Sequence, residues 1–234
     1  MTTEFSEFLT PGPTVDSDSP DIVAFVERVL GGNDGSDKEK AIKLYYAVRD
    51  ELRYDPYSST LEVEGLKASR TLREGRGYCV SKAILLAAAC RAAGIPARLG
   101  YADVRNHMST EKMRERMQTD IFYWHGYTDI YLDGKWVKST PAFNIELCDK
   151  FGLMPLDFDG EEDSIYHPID KSGNRHMEYL NYRGAYTEPP LDDMLETFVT
   201  HYPHWRNRVN SAEGDFDAEV SAEVSAAGQD KQDM

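Results

Sequence analysis

A chain of 234 residues that is 41% hydrophobic is long enough to bury the core of one ordinary domain. Its 41 acidic against 26 basic side chains leave a formal charge of -15, which repels nucleic acid and anionic membrane surfaces and excludes both as expected partners. Cys79, Cys90 and Cys148 are too few and too irregularly spaced for a disulfide framework or a zinc ribbon. With no basic-then-apolar leader and no apolar run near the roughly 18 residues of a membrane span, a cytoplasmic protein with free thiols is expected.

Residues 1–20 are rich in Ser, Thr, Pro and Asp and read as an irregular arm. "DIVAFVERVL" then predicts a short amphipathic helix stopped by Gly31 and Gly32, and Asp37 is the expected cap of a second helix. In that helix Ala41, Ile42, Tyr45, Val48 and Leu52 recur at helical spacing, and Pro56 closes it. "YSSTLEVEGLKASRTLREGRGY" reads as a loop-rich approach to Cys79. From Ala83 to Cys90 no polar side chain interrupts the sequence, so the helix that Cys79 opens is expected to be buried on every side.

After this helix "GIPARLGYADV" enters a strand, and "HMSTEKMRERMQTD" is charged and either helical or loose. "IFYWHGYTDIYLDGKWVKST" gives two β-rich runs joined by Asp133-Gly134, a strong hairpin signal. A short helix at "NIELCDKFG" follows, then an acidic, Tyr-rich passage to about Pro190 whose Tyr166, Tyr179, Tyr182 and Tyr186 supply packing or a cleft wall. A further helix is expected at "LDDMLETFVTHY", and 209–234 is small, acidic and poor in aromatics, so no fixed structure is expected there. Strands gathered after helices predict an α+β domain, an antiparallel sheet packed on a central buried helix. The expected boundaries are an arm over 1–20, one catalytic domain over 21–208 and a tail over 209–234.

A thiol at a helix N-terminus lies near backbone N–H groups without intrahelical partners and near the positive end of the dipole. Both favour the nucleophilic thiolate, and the same N–H groups can hold an oxyanion. The other reading of Cys79 is a buried structural cysteine. A thiol nucleophile needs a base, and six histidines are candidates: His107, His125, His167, His176, His201 and His204. Of these, His125 alone lies in a strongly β-patterned segment, among Phe122, Tyr123, Trp124 and Tyr127. His201 and His204 in "HYPHWRNR" lack carboxylates or cysteines in register and read as a surface patch, so no metal or other cofactor is expected.

Together "GRGYCVSKAILLAAACRAAGIPARLGY" and "HGYTDIYLDGKWVKSTPAFN" resemble the transglutaminase-like superfamily of papain-type cysteine enzymes, with residues 66–144 carrying the likeness. The resemblance implies Cys79 as nucleophile at the start of the central helix, His125 as base on an adjacent sheet, and acyl transfer through a thioester. The family's third catalytic residue is an Asp four residues after the tryptophan and before a proline. In "WVKSTP" that position is Thr140, which carries no charge to stabilise an imidazolium. If Asp133 and Gly134 form the turn, Leu132 faces Lys135, and His125 faces Ala142 should pairing run that far, with Thr140 and Asn144 diagonal to it. Either can then accept the imidazole N–H, and Asn144 can equally be a helix-cap residue.

The expected function is hydrolysis of an amide or peptide bond in a peptide or small amide substrate, in preference to cross-linking. Two other classes remain open: a non-catalytic binding module on the same fold, which Thr140 supports, and a different thiol reaction such as a lyase or isomerase.

Overall fold

The computed structural model describes residues 3–32, 35–106, 109–165, 170–174, 176–206 and 215–230. His107, His167 and Tyr166 lie outside the described residues.

Helix α1 (Pro20–Leu30) turns Ile22, Phe25 and Val26 inward and ends at Gly31 in the left-handed conformation. Helix α2 (Asp37–Glu51) starts one residue earlier than the sequence suggested. Ser36, not Asp37, is its N-cap, because the Ser36 hydroxyl takes the Glu39 N–H while the Glu39 carboxylate returns to the Ser36 backbone. The stretch read as loop-rich contains the helices α3 (Val63–Leu66) and α4 (Ala68–Glu74), along with a parallel ribbon of two-residue strands, β1 (Arg53–Tyr54) and β2 (Arg76–Gly77). That ribbon leads the chain directly into α5 (Cys79–Ala92), which is buried from Val80 to Arg91 as its sequence predicts.

The sheet has the order β5-β4-β3-β6 and is antiparallel throughout, built from β3 (Ala97–Asn106), β4 (Ile121–Leu132), β5 (Lys135–Ser139) and β6 (Met177–Tyr186). Helix α5 packs against β3 and β4 on one side and α1, α2 and α4 on the other. The Thr128 hydroxyl fixes this layer by donating to the Ala83 carbonyl at 2.8 Å. This is the α+β arrangement expected from the sequence.

The β4–β5 turn has Asp133 at φ 48° and Gly134 at φ 87°, so both turn residues take positive φ, as a two-residue hairpin with this twist requires. Leu132 faces Lys135, and the ladder runs to Thr128–Ser139 and stops there, two residues before Pro141. Helix α6 (Glu111–Met117), capped by Thr110, settles the charged segment as helical. Helices α7 (Ile145–Phe151), α8 (Leu191–His201) and α9 (Pro203–Arg206) follow the chain onward.

Two further elements depart from the sequence reading. Strand β6 emerges from the Tyr-rich passage and adds an edge to the sheet beside β3. Within 209–234, Phe216–Asp230 forms helix α10, which Phe216 and Val220 anchor against the domain. Of the arm, Thr3–Phe8 forms a short 3-10 turn and 9–19 is irregular, and it is pinned to the domain. The Glu188 carboxylate accepts the Thr14 N–H at 3.0 Å and the Val15 N–H at 3.1 Å.

Candidate active site

Cys79 is the first residue of α5, so its own N–H and that of Val80 have no carbonyl partner within the helix. It is half-buried, while Cys90 and Cys148 are buried. Burial pushes the Cys79 thiol up to about 11; the N–H groups of Gly126, Val80 and Cys79 itself work in the other direction.

Gly126 brings β4 to the start of α5. Gly126 lies so close to the start of α5 that a Cβ there would stand 2.9 Å from the Val80 Cα and 3.3 Å from the Cys79 carbonyl oxygen. Only glycine lets the strand and helix meet at that distance. His125, the residue before it, is buried, and burial, with the nearby His176 adding to it, lowers its imidazole to about 4. Cys79 and His125 both line one cleft with about 580 Å³ of empty space, walled by Tyr54, Met113, Phe122, Trp124, Phe198 and Trp205 among others.

Strand β4 reaches His125 through a bulge. Ala102 pairs with His125 but Val104 pairs with Phe122, so Tyr123 and Trp124 together oppose Asp103. Trp124 takes φ 59°, an uncommon conformation for an aromatic residue. Asp103 holds it there. Its Oδ1 accepts the Trp124 N–H at 3.2 Å and the Arg183 Nε–H at 2.6 Å, and the Arg183 guanidinium lies over the Trp124 ring, 4.5 Å from its centre. Sequence reading passed over Asp103 and Arg183; they are ordinary strand residues until the bulge places them together.

Neither proposed third residue is found in the role expected of it. Thr140 is buried beyond the end of the β4–β5 ladder, and its hydroxyl oxygen has no hydrogen-bond partner among the described residues, so it does not hold the imidazole. Its backbone serves packing instead: the N–H donates to Ser164 O at 3.1 Å, and the carbonyl accepts from the Tyr45 hydroxyl at 3.2 Å. Asn144 is the N-cap residue of α7, but its side-chain oxygen accepts the Tyr54 N–H at 3.1 Å. It therefore steadies Tyr54, a wall of the cleft, rather than His125. Pairing that stops at Ser139 removes the diagonal relation on which both expectations rested.

His176, by contrast, is buried beside His125, stacked on Phe143 with ring centres 6.3 Å apart at the head of β6. It is reachable from sequence only once β6 is placed. Lys82, one turn into α5, is fully buried, and its ammonium donates to the carbonyls of Arg49 at 2.9 Å and Leu52 at 2.6 Å at the end of α2. Burial draws its pKa down to about 7, with Asp50 acting to raise it.

Among solved structures, the chain is similar to a candidate cysteine protease from Cytophaga hutchinsonii, at 18% identity and a TM-score of 0.46 over 80% of this chain and 55% of that one. It is also similar to a candidate protease from Parabacteroides distasonis ATCC 8503, at 19% identity and a TM-score of 0.36 over 51% of this chain and 22% of that one. The chain thus spans about half of the first of these proteins and less of the second. No curated protein matches it. The model of the transglutaminase-like superfamily matches residues 24–141, which include α5, β3, β4 and β5 with both Cys79 and His125. By that match over half of its length, the chain belongs to the transglutaminase-like superfamily.

Proposed function

We propose that the protein is a cysteine hydrolase of amide or peptide bonds, with Cys79 as nucleophile and His125 as the group that moves the proton. The observation that carries this reading is the close approach of Gly126, the residue after His125, to the start of α5, beside a cleft that Cys79 and His125 both line. Sulfur attacks the carbonyl carbon while the imidazole takes the thiol proton, and the oxyanion forms beside the unpartnered N–H groups at the start of α5. The C–N bond breaks as the imidazolium returns its proton to the leaving amine. Water, losing a proton to the imidazole, then attacks the thioester, releasing a carboxylic acid and restoring the thiol.

The cleft walls favour an apolar or aromatic side chain on the acyl part of the substrate. Arg116 is the one formally charged side chain among the described lining residues, and it opposes the approach of a lysine ammonium, so water is favoured over an amine as acceptor. A second reading, a binding module without turnover, draws support from burial, which favours the neutral thiol and the neutral imidazole.

The p-nitrophenyl ester of N-acetyl-phenylalanine separates the two. Turnover predicts a burst of about one p-nitrophenol per protein, an acyl mass on the Cys79 peptide, and acylation slowed about 100-fold or more in His125→Ala. A burst that persists in Cys79→Ala sinks the nucleophile assignment. Cleft binding of N-acetyl-phenylalanine amide with no burst selects the binding module.

A further inference from the structure

Helix α10 is held to the domain by one narrow face. Phe216 and Val220, one turn apart, are buried, and the Phe216 ring sits among Tyr54, Tyr57 and Phe151 at centroid distances of 5.8, 6.3 and 6.2 Å. Around these two anchors Asp217, Glu219 and Glu223 each meet a complementary group. Asp217 faces Arg53 at 3.5 Å and Lys150 at 3.6 Å. Glu219 pairs with Lys112 at 2.7 Å and accepts the Tyr57 hydroxyl at 2.6 Å, and Glu223 accepts the Glu111 N–H at 2.7 Å. In a molecule of net charge -15, the seat of α10 is a local concentration of cations laid around an aromatic pocket.

The seat adjoins the candidate active site. Tyr54, Pro56, Met113 and Phe122 line both the cleft that holds Cys79 and a smaller neighbouring pocket, which Phe216 also lines. The occupant is a weak helix in its own right. It has 15 residues, with Ser221, Ser225, two valines and Gly228 among them, so its order depends on docking more than on propensity.

We propose that this seat is a peptide-binding surface for an acidic segment led by an aromatic residue in a polypeptide substrate, and that α10 occupies it in cis. The ligand class is read from the segment the chain itself places there: an aromatic anchor, an apolar residue four positions on, and carboxylates at the positions that meet Arg53, Lys112 and Lys150. The word substrate rests on the hydrolase reading above; the binding surface does not. A tethered occupant competes at high effective concentration, so a free segment gains access only as α10 releases.

The test uses the full chain and a fluorescein-labelled synthetic peptide of residues 215–230. Phe216→Ser combined with Val220→Asp frees the seat. The freed chain should bind the peptide at least about tenfold more tightly than the wild type does, because the cis competitor is gone. Binding should weaken with salt and fall at least about tenfold for a peptide with Asp217 and Glu219 replaced by lysine. Peptide binding should also slow modification of Cys79 by a bulky maleimide. A double variant that keeps the native circular dichroism and a cooperative melt yet binds no peptide overturns the proposal. Should that variant fail to fold, hydrogen exchange of the wild type decides: α10 amides about 100-fold or more faster than those of α5 support a releasable occupant, and equal rates make α10 part of the core and overturn it. The esterase burst is read separately, so loss of the Cys79 chemistry leaves the peptide titration intact, and the reverse holds as well.

Discussion

Between about pH 4 and pH 11 the thiol of Cys79 and the imidazole of His125 are both uncharged, because burial dominates each. The helix N-terminus, which by itself favours thiolate, is outweighed by desolvation. Iodoacetamide should therefore label Cys79 slowly at pH 6, at a rate that climbs about tenfold per pH unit toward pH 10, as for an unassisted thiol. A plateau reached below pH 8 would show a thiolate–imidazolium pair and reverse this assignment of charge. His125 carries a second consequence. Its folded value near 4 lies below an unfolded value of about 6.5, so the unfolded chain binds the extra proton in that window. Stability present above pH 6.5 is lost as pH falls toward 4, by up to about 3 kcal/mol. Urea melts across that window should show the loss in the wild type and a slope shallower by about one proton in His125→Gln. At the neighbouring position, Gly126→Ala sets a methyl group against the Val80 backbone, and α5 and β4 must part to admit it. The expected cost is about 1–3 kcal/mol, together with loss of the esterase burst. An alanine variant with unchanged stability and an unchanged burst would show that the close approach is not needed.

At the scale of elements, α5 binds its neighbours through polar contacts as well as apolar ones. Lys82 closes the end of α2 by donating to two of its terminal carbonyls from within the core. Lys82→Met keeps the length of the side chain and leaves the carbonyls of Arg49 and Leu52 unsatisfied, so the urea midpoint should fall by the equivalent of about 1–3 kcal/mol at unchanged m. No change in midpoint would mean that water replaces the ammonium freely. Elements with strong periodicity or punctuation were legible in the sequence: the all-apolar face of α5, the repeat of α2, and the Asp133-Gly134 turn with its register. Strand β6 was not, because an edge strand whose middle is exposed, such as Leu180–Tyr182, shows no alternation. Helix α10 was not, because two anchors, Phe216 and Val220, in a small and acidic segment look like solvent-facing chain until the seat is known. At the candidate site the positions of Cys79 and His125 followed from a helix start and a β-rich run. Thr140 and Asn144 were paired to His125 by extending a ladder that the chain abandons before Pro141.

At the scale of the whole molecule, the N-terminal arm is tied to the segment that follows β6. Glu188 grips the backbone of Thr14 and Val15, and the buried Arg91 donates to Thr10 O at 2.9 Å, Thr187 O at 2.7 Å and Ala97 O at 3.0 Å. Glu188→Gln replaces one accepting oxygen by a donor facing another donor. It should cost about 1–3 kcal/mol and speed amide exchange at Thr14 and Val15 ahead of α5. Retained protection at both amides would show that Arg91 suffices to hold the arm.

The placement of two thiols on one helix gives the folding of this chain a pair of internal clocks. Cys90 is fully buried on α5, a helix that α1, α2 and α4 of the preceding sequence help to enclose, whereas Gly126 reaches the Cys79 end of that helix only when β4 has docked from 47 residues further along. Contacts of short sequence separation tend to form first. In refolding sampled by brief pulses of thiol reagent, Cys90 should fall silent first and Cys79 should lag behind it. The interval between the two reports the arrival of the sheet, so the order in which the candidate site is assembled can be timed without a substrate.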